Sequence, residues 1–293
     1  MGRKGKRADM KSKILALLEV LFVFVLIQAI LQLYRFTDLY QWEIQAFGWS
    51  YIAMLPFIGI PALIIWLTHR SWTEYGVSTA RWPTNLDIGL KAFLVAFIPL
   101  VFGQYLPGML GWQPMARYLF EALMGIVAIV LIVWLMNRQK PLTSGRRNLI
   151  SIGLIALIPI VVALAVGQLS LVVLSTMVWQ FIFSGFGEEF VYRGYYQSRL
   201  NQAFGRPFCM SGVQFGVGLI VASLLFGLLH AFNGFDPAVG FASFNWESAL
   251  STGMSGLFFG VIREKTGTLL APGLAHGLPD LVGEPMKIMF NWM

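Results

Sequence analysis

The sequence is poor in cysteine and in charge, and both shortages limit what the protein can be. Cys209 is the only cysteine among 293 residues, which excludes an intramolecular disulfide framework and argues against a cysteine-based metal cluster. Charged residues make up 12% of the chain, against roughly 25% in a typical soluble domain. Hydrophobic residues make up 57%, and the mean hydropathy is +0.69. This balance predicts an integral membrane protein.

Several motifs of well-known enzyme chemistries are also absent. The chain has no His-Glu-x-x-His as in membrane zinc proteases, and no Gly-x-Gly-Asp of the presenilin kind. It also lacks a Gly-x-Ser-x-Gly motif and a glycine-rich phosphate loop, which carry nucleophilic serine and phosphate binding respectively. There is no strand-like alternation of useful length and no internal repeat. The sequence therefore favours an all-α protein that uses none of these chemistries.

Apolar segments of membrane-spanning length follow one another along the chain. A spanning helix needs about 20 mostly apolar residues. The predicted segments are roughly 14–34, 47–68, 86–105, 118–136, 149–167, 169–200, 212–232, 247–262 and 266–283. The last two are short and rich in glycine, so one of them is a candidate for a re-entrant or tilted helix. The prediction is an all-α polytopic transmembrane bundle of about eight or nine helices.

The basic residues indicate how the chain lies in the membrane. All but three of the 21 lysines and arginines fall on the side of the N-terminal tail when the spans alternate; the exceptions are Arg35, Arg117 and Lys287. The positive-inside rule therefore places the N-terminus in the cytoplasm and fits a bacterial or archaeal inner (plasma) membrane. The net charge of +7 is then explained by cations that face membrane lipids, and no nucleic-acid partner is expected.

Two adjacent carboxylates, Glu188 and Glu189, follow the long apolar run 169–186. A charge at bilayer depth costs a few kcal/mol even on lenient scales. On a helix, Glu189 and Arg193 are i,i+4 neighbours that can pair. Glu188 is rotated by about 100° from Glu189 and can point elsewhere. This suggests a site with one carboxylate held and one available, although solvated charges at the end of a span are the alternative.

Two of the three histidines lie inside apolar segments. His230 follows Phe226 by four residues, and His276 precedes Asp280 by four. At 1.5 Å per residue, Glu188, His230 and His276 lie about 20, 27 and 15 Å from the same membrane side. These depths overlap within a hydrocarbon core about 30 Å thick, which favours one convergent active site inside the membrane over separate end charges.

Such a cluster is compatible with several functions. A carboxylate beside an imidazole can deprotonate water, and a second histidine with an aspartate can stabilise an oxyanion. Alternatively, one glutamate and two histidines can hold zinc. A proton- or ion-coupled transporter would use similar groups, but it predicts two pseudo-symmetric halves, whereas all the site residues lie in the C-terminal half. A non-cleaving bacteriocin-immunity protein is a further alternative.

These residues resemble the motifs of the CAAX protease and bacteriocin-processing (CPBP) family, which includes the type II CAAX prenyl endopeptidases. Glu-Glu-x-x-x-Arg, Phe-x-x-x-His and His-x-x-x-Asn/Asp are matched in order by Glu188, Glu189 and Arg193, by Phe226 and His230, and by His276 and Asp280. The resemblance covers about residues 181–284 and is supported by three motifs at the right spacing. Charge and hydropathy predict a basic cytoplasmic tail (1–13) and N-terminal transmembrane helices (14–168), and the resemblance implies a catalytic core (169–293).

The resemblance also implies a role for each residue. Glu188 would activate water with help from His230. His276 and Asp280 would stabilise the oxyanion, and Glu189 and Arg193 would be an orienting pair. The implied reaction is cleavage near the C-terminus of a membrane-associated or lipidated protein or peptide. No cofactor is favoured; zinc is the alternative, held by Glu188, His230 and His276. Pro279 removes a backbone donor and can change the aim of Asp280.

Overall fold

The structure is a computed structural model that describes residues 3–235 and 238–291. It is an all-α helix bundle, as predicted. The α-helices are α1 (Arg3–Tyr34), α2 (Asp38–Phe47), α3 (Met54–Leu67), α4 (Trp82–Phe97), α5 (Leu106–Met109), α6 (Pro114–Arg138), α7 (Arg146–Ala165), α8 (Leu171–Val178), α9 (Ser198–Phe204), α10 (Val217–Ala231), α11 (Trp246–Thr266) and α12 (Leu270–Phe290). Short 3₁₀ turns cover Phe232–Gly234 and Gly240–Ser243.

Among the residues that the structure describes, five helical segments are long and apolar enough to cross a membrane. They are Met10–Tyr34, Trp82–Leu100, Pro114–Arg138, Arg146–Ala165 and Leu171–Phe204. The shorter helices α3 and α10 are also apolar. The chain is therefore a membrane protein. The number of spans and the orientation of the N-terminus stay predictions, as do the three predicted domain boundaries.

Three details differ from the sequence prediction. The segment 47–68 is split, because α2 ends at Phe47, is capped by Gly48 in the left-handed conformation (φ 78°), and α3 begins only at Met54. A hairpin of two three-residue strands, β1 (Phe208–Met210) and β2 (Val213–Phe215), joins α9 to α10, with Met210 opposite Val213. Its turn residues Ser211 and Gly212 both have positive φ, as a type I′ turn requires. Helix α1 begins at Arg3 and therefore starts well before the first predicted span, 14–34.

The segment Leu171–Phe204 is helical throughout but is not α-helical throughout. Between α8 and α9 it contains two π-helical stretches, Trp179–Glu188 and Phe190–Gln197. A third π-helical stretch, Ile98–Tyr105, follows α4. In a π-helix each hydrogen bond runs from i to i+5, and such stretches are frequent at functional sites. The Glu-Glu-x-x-x-Arg motif lies within this altered region.

The chain divides into two compact units, which are described separately. The first unit comprises the residues up to Phe24, Leu94–Arg138 and Tyr192–Gly267. The second unit comprises Val25–Phe93, Gln139–Val191 and the residues from Thr268 onwards. Glu188, Glu189, His276 and Asp280 belong to the second unit, whereas Arg193 and His230 belong to the first.

Candidate active site

In the second unit, the π-helical stretch Trp179–Glu188 lies against α12, and glycines allow the two backbones to come close. A Cβ atom added to Gly185 would lie 2.5 Å from the Cα of Gly277. One added to Gly273 would lie 2.5 Å from the ring of Phe186. Only residues without a side chain fit at such a crossing. The crossing places Glu188 and Glu189, just after it on one helix, beside His276 on the other.

The start of the same π-helical stretch is fixed by the loop between α2 and α3. Trp179 stacks on Trp49 with ring centroids 4.4 Å apart. Its indole N–H donates to the backbone oxygen of Ser50 at 3.0 Å. The indole N–H of Trp49 donates to Thr176 Oγ1 at 2.8 Å. These contacts limit rotation of the helix that carries the two glutamates.

The His276 ring lies among three carboxylates. Its Nδ1 is 3.1 Å from Glu189 Oε1, and because a carboxylate oxygen accepts, Nδ1–H is the donor. Its Nε2 lies 3.5 Å from Asp280 Oδ2 and 3.9 Å from Glu188 Oε2. The bond to Glu189 fixes the ring so that Nε2 is directed toward Asp280 and Glu188. Four of the six predicted site residues therefore lie together in this unit.

The direction of the two glutamates differs from the sequence expectation. An α-helical rotation of about 100° was expected to separate them, yet both carboxylates approach the same imidazole from opposite nitrogens. The helix is π-helical up to Glu188, so the α-helical spacing does not apply. Sequence reasoning also missed His276 as a partner of Glu189. The predicted pairing of Glu189 with Arg193 stays a prediction.

Asp280 keeps its place on α12 despite the proline before it. Pro279 lies inside α12, which continues to Phe290. The hydroxyl of Ser184 donates to Asp280 Oδ2 at 3.1 Å. This hydrogen bond fixes the direction of the Asp280 carboxylate, which Pro279 was expected to change. Sequence reasoning missed Ser184, although a serine one helical turn before Glu188 in an apolar run was a usable signal.

The three acidic side chains differ in solvent exposure, and this difference limits the task that each can perform. The Glu189 side chain is fully buried (0%), whereas 12% of the Glu188 side chain and 32% of the Asp280 side chain are exposed. A residue that activates water must reach it, so Glu188 and Asp280 suit the reacting side and Glu189 suits orientation of His276. Within the described ranges, no group of three or more His, Cys, Asp or Glu residues is arranged to hold a metal ion.

In the first unit, Arg193 is completely buried (0% exposed). Its Nη2 donates to the backbone oxygen of Gly256 at 3.2 Å. The guanidinium carbon lies 4.4 Å from the centre of the Phe226 ring and 5.3 Å from that of Phe259. A buried cation over aromatic faces is favourable because the rings present negative charge. Arg193 is therefore held by a carbonyl and by aromatic rings.

His230 lies near the C-terminal end of α10 in the same unit. Its Nδ1 is 2.9 Å from the backbone oxygen of Phe226. Since a carbonyl can only accept, Nδ1 carries the proton and Nε2 is the acceptor nitrogen of the neutral ring. This tautomer suits a residue that accepts a proton from water. The assistance of His230 to Glu188 stays a prediction.

Comparison with known proteins adds one match. Residues 170–282 match the protein-family model described as Rce1-like, type II CAAX prenyl endopeptidase. The match begins at the start of α8, covers less than half of the chain and includes every predicted site residue. No curated protein and no solved structure matches the chain. The predicted resemblance is confirmed over the matched residues.

Proposed function

We propose that the protein is a membrane protease that hydrolyses a peptide bond near the C-terminus of a membrane-associated or lipidated protein, supported by the match of residues 170–282 to the Rce1-like model of CAAX-type endopeptidases. The observation that carries the proposal is the His276 ring among Glu189, Asp280 and Glu188, at 3.1, 3.5 and 3.9 Å. His276 and Glu189 are buried in an apolar protein, where charges are costly unless they serve a purpose.

In the proposed reaction, Glu188 acts as the general base. Its carboxylate accepts a proton from water while the water oxygen bonds to the scissile carbonyl carbon, and the C=O electron pair moves onto the carbonyl oxygen. When this intermediate collapses, the C–N bond breaks and Glu188 returns the proton to the leaving amine nitrogen. The motif assigns His230 to assist Glu188, and its Nδ1-protonated tautomer is suited to accept a hydrogen bond from water.

His276 and Asp280 are proposed to stabilise the oxyanion. Donors aimed at the developing negative charge lower the barrier, and loss of one donor costs about 10² to 10³ in rate. His276 Nε2 donates to the oxyanion when the ring is protonated, while Nδ1 donates to the Glu189 carboxylate. Asp280 donates in its carboxylic acid form. Glu189, fully buried behind the ring, acts as the positioning residue.

The proposal is tested with Glu188→Gln and a matched control, Glu74→Gln, which changes an exposed carboxylate of the same unit. The purified proteins are incubated in lipid vesicles with a farnesylated peptide that ends in a CAAX sequence, and with its unprenylated counterpart, and products are identified by mass spectrometry. Loss of general-base catalysis lowers the rate by about 10² to 10⁴, so Glu188→Gln should lose activity by that factor while Glu74→Gln keeps it. Wild-type cleavage by Glu188→Gln would remove Glu188 from the catalytic role.

The metal dependence of the reaction is decided in the same assay. We propose hydrolysis without a catalytic metal, in which the Glu188 carboxylate itself activates the water. Activity that survives a strong chelator, with no stoichiometric metal in the purified protein, supports this version. Activity lost to the chelator and restored by zinc supports the zinc version instead.

The cellular setting is also part of the proposal. We infer a plasma membrane location with a cytoplasmic N-terminus, supported by the one-sided distribution of lysine and arginine. Membrane lipids are then the surroundings of the catalytic core. The substrate reaches the site from within or beside the lipid layer.

A further inference from the structure

Phe226 lies between the two charged or titratable motif residues of the first unit. Its ring centre is 4.4 Å from the guanidinium carbon of Arg193. On another side, the ring centre is 4.7 Å from that of His230, with the rings inclined by 72°. Its backbone oxygen is 2.9 Å from His230 Nδ1. One residue therefore contacts His230 twice and Arg193 once.

These contacts act on different properties of His230. The carbonyl of Phe226 determines which ring nitrogen carries the proton, because only Nδ1–H can donate to it. The phenyl ring determines where the imidazole plane lies, through an edge-to-face contact of the kind that aromatic pairs prefer. Together they leave His230 with a defined tautomer and a defined direction for Nε2.

Arg193 in turn fixes the phenyl ring. The guanidinium is anchored by the Gly256 carbonyl at 3.2 Å and has no exposed surface, so it cannot move away from the ring without disturbing its other contacts. Tyr192 packs on the same ring at 5.0 Å with an interplanar angle of 69°. Phe226 is only 2% exposed, which leaves it no surface for contact with a substrate.

We propose that Phe226 is a positioning residue through which Arg193 orients His230. The inference rests on the proposed function, in which His230 assists Glu188. It gives the Phe-x-x-x-His and Glu-Glu-x-x-x-Arg motifs a common physical purpose: the phenylalanine holds the histidine, and the arginine holds the phenylalanine. An aliphatic residue in its place would fill the space but would attract neither the cation nor the imidazole ring.

The test compares Phe226→Leu with Phe258→Leu. Phe258 belongs to the same unit and is similarly buried, at 4% exposure, so both changes remove one buried ring and leave a comparable gap. Activity on the farnesylated CAAX peptide and thermal unfolding are measured for both. We expect similar losses of stability, but a fall in kcat of about tenfold only for Phe226→Leu. KM should change less than twofold in both variants.

A double-mutant cycle separates positioning from packing. If Phe226 acts through His230, then Phe226→Leu lowers kcat much less in a His230→Gln background than in the wild type. An equal fall in both backgrounds, or equal kcat for Phe226→Leu and Phe258→Leu, overturns the inference. The proposed function is tested independently, because wild-type activity of Glu188→Gln would contradict it whatever the result for Phe226.

Discussion

The π-helical stretch Trp179–Glu188 crosses α12 at Gly185 and Gly277, and widening this crossing tests whether close packing of the two helices positions the site. In Gly185→Ala, the new Cβ would lie 2.5 Å from the Cα and 2.9 Å from the nitrogen of Gly277. Both are backbone atoms, so no side-chain rotation relieves the overlap. Ordinary contacts lie at 3.4–4 Å, and the two helices must therefore separate by about 1 Å.

That separation acts directly on the proposed catalytic cluster. Glu189 follows Gly185 by four residues, and His276 adjoins Gly277. A shift of about 1 Å would lengthen the bond from His276 Nδ1 to Glu189 Oε1, now 3.1 Å, beyond hydrogen-bonding range. A misplacement of about 1 Å can cost about 10²-fold in rate. Overpacking costs about 1–3 kcal/mol, and the better helix propensity of alanine offsets up to about 1 kcal/mol.

We therefore expect Gly185→Ala to lose about 10²-fold in kcat/KM. Its free energy of unfolding should stay within about 2 kcal/mol of the wild-type value. The control is Gly283→Ala on α12, where an added Cβ meets no heavy atom within 4 Å. It should keep full activity. Rates on the farnesylated CAAX peptide and thermal unfolding in the same detergent measure both effects. Wild-type activity of Gly185→Ala, or an equal loss in Gly283→Ala, would refute the reasoning.

Composition and apolar periodicity were sufficient for the fold class, because a bilayer leaves helices as the obvious way to satisfy the backbone of apolar segments. The motif residues could also be predicted, since buried ionisable groups are rare enough to stand out. The Ser211–Gly212 turn could have been found as well, because a Ser-Gly pair between short apolar runs is a turn signal. These features depend on residues near one another in sequence.

The details that orient the site depend on residues far apart in sequence. Gly185 and Gly277 are two of 30 glycines, and nothing local indicates that their backbones meet. The stretch before Glu189 is π-helical, which the spacing of residues along the sequence did not indicate. The partnership of Glu189 with His276, and of Ser184 with Asp280, follows from the same crossing. Spacing rules for an isolated α-helix cannot supply such information.

Two further predictions concern topology and pH. Cys209 is exposed and lies after the sixth predicted span, so a membrane-impermeant maleimide should label it in inverted vesicles and not in intact cells; the reverse pattern would contradict the orientation. Glu43 is buried and accepts hydrogen bonds from Tyr34, Ser50 and the backbone N–H groups of Tyr51 and Ile52. Burial raises its pKa, but these hydrogen bonds outweigh burial and hold the pKa below the ordinary 4.5. A depressed folded-state pKa stabilises the fold above about pH 4.5, and this stabilisation is lost as the pH falls through the folded-state pKa. The stability advantage of the wild type over Glu43→Gln in thermal unfolding should therefore be full at pH 7 and shrink below about pH 4.5; an advantage independent of pH would show that the Glu43 charge does not stabilise the fold.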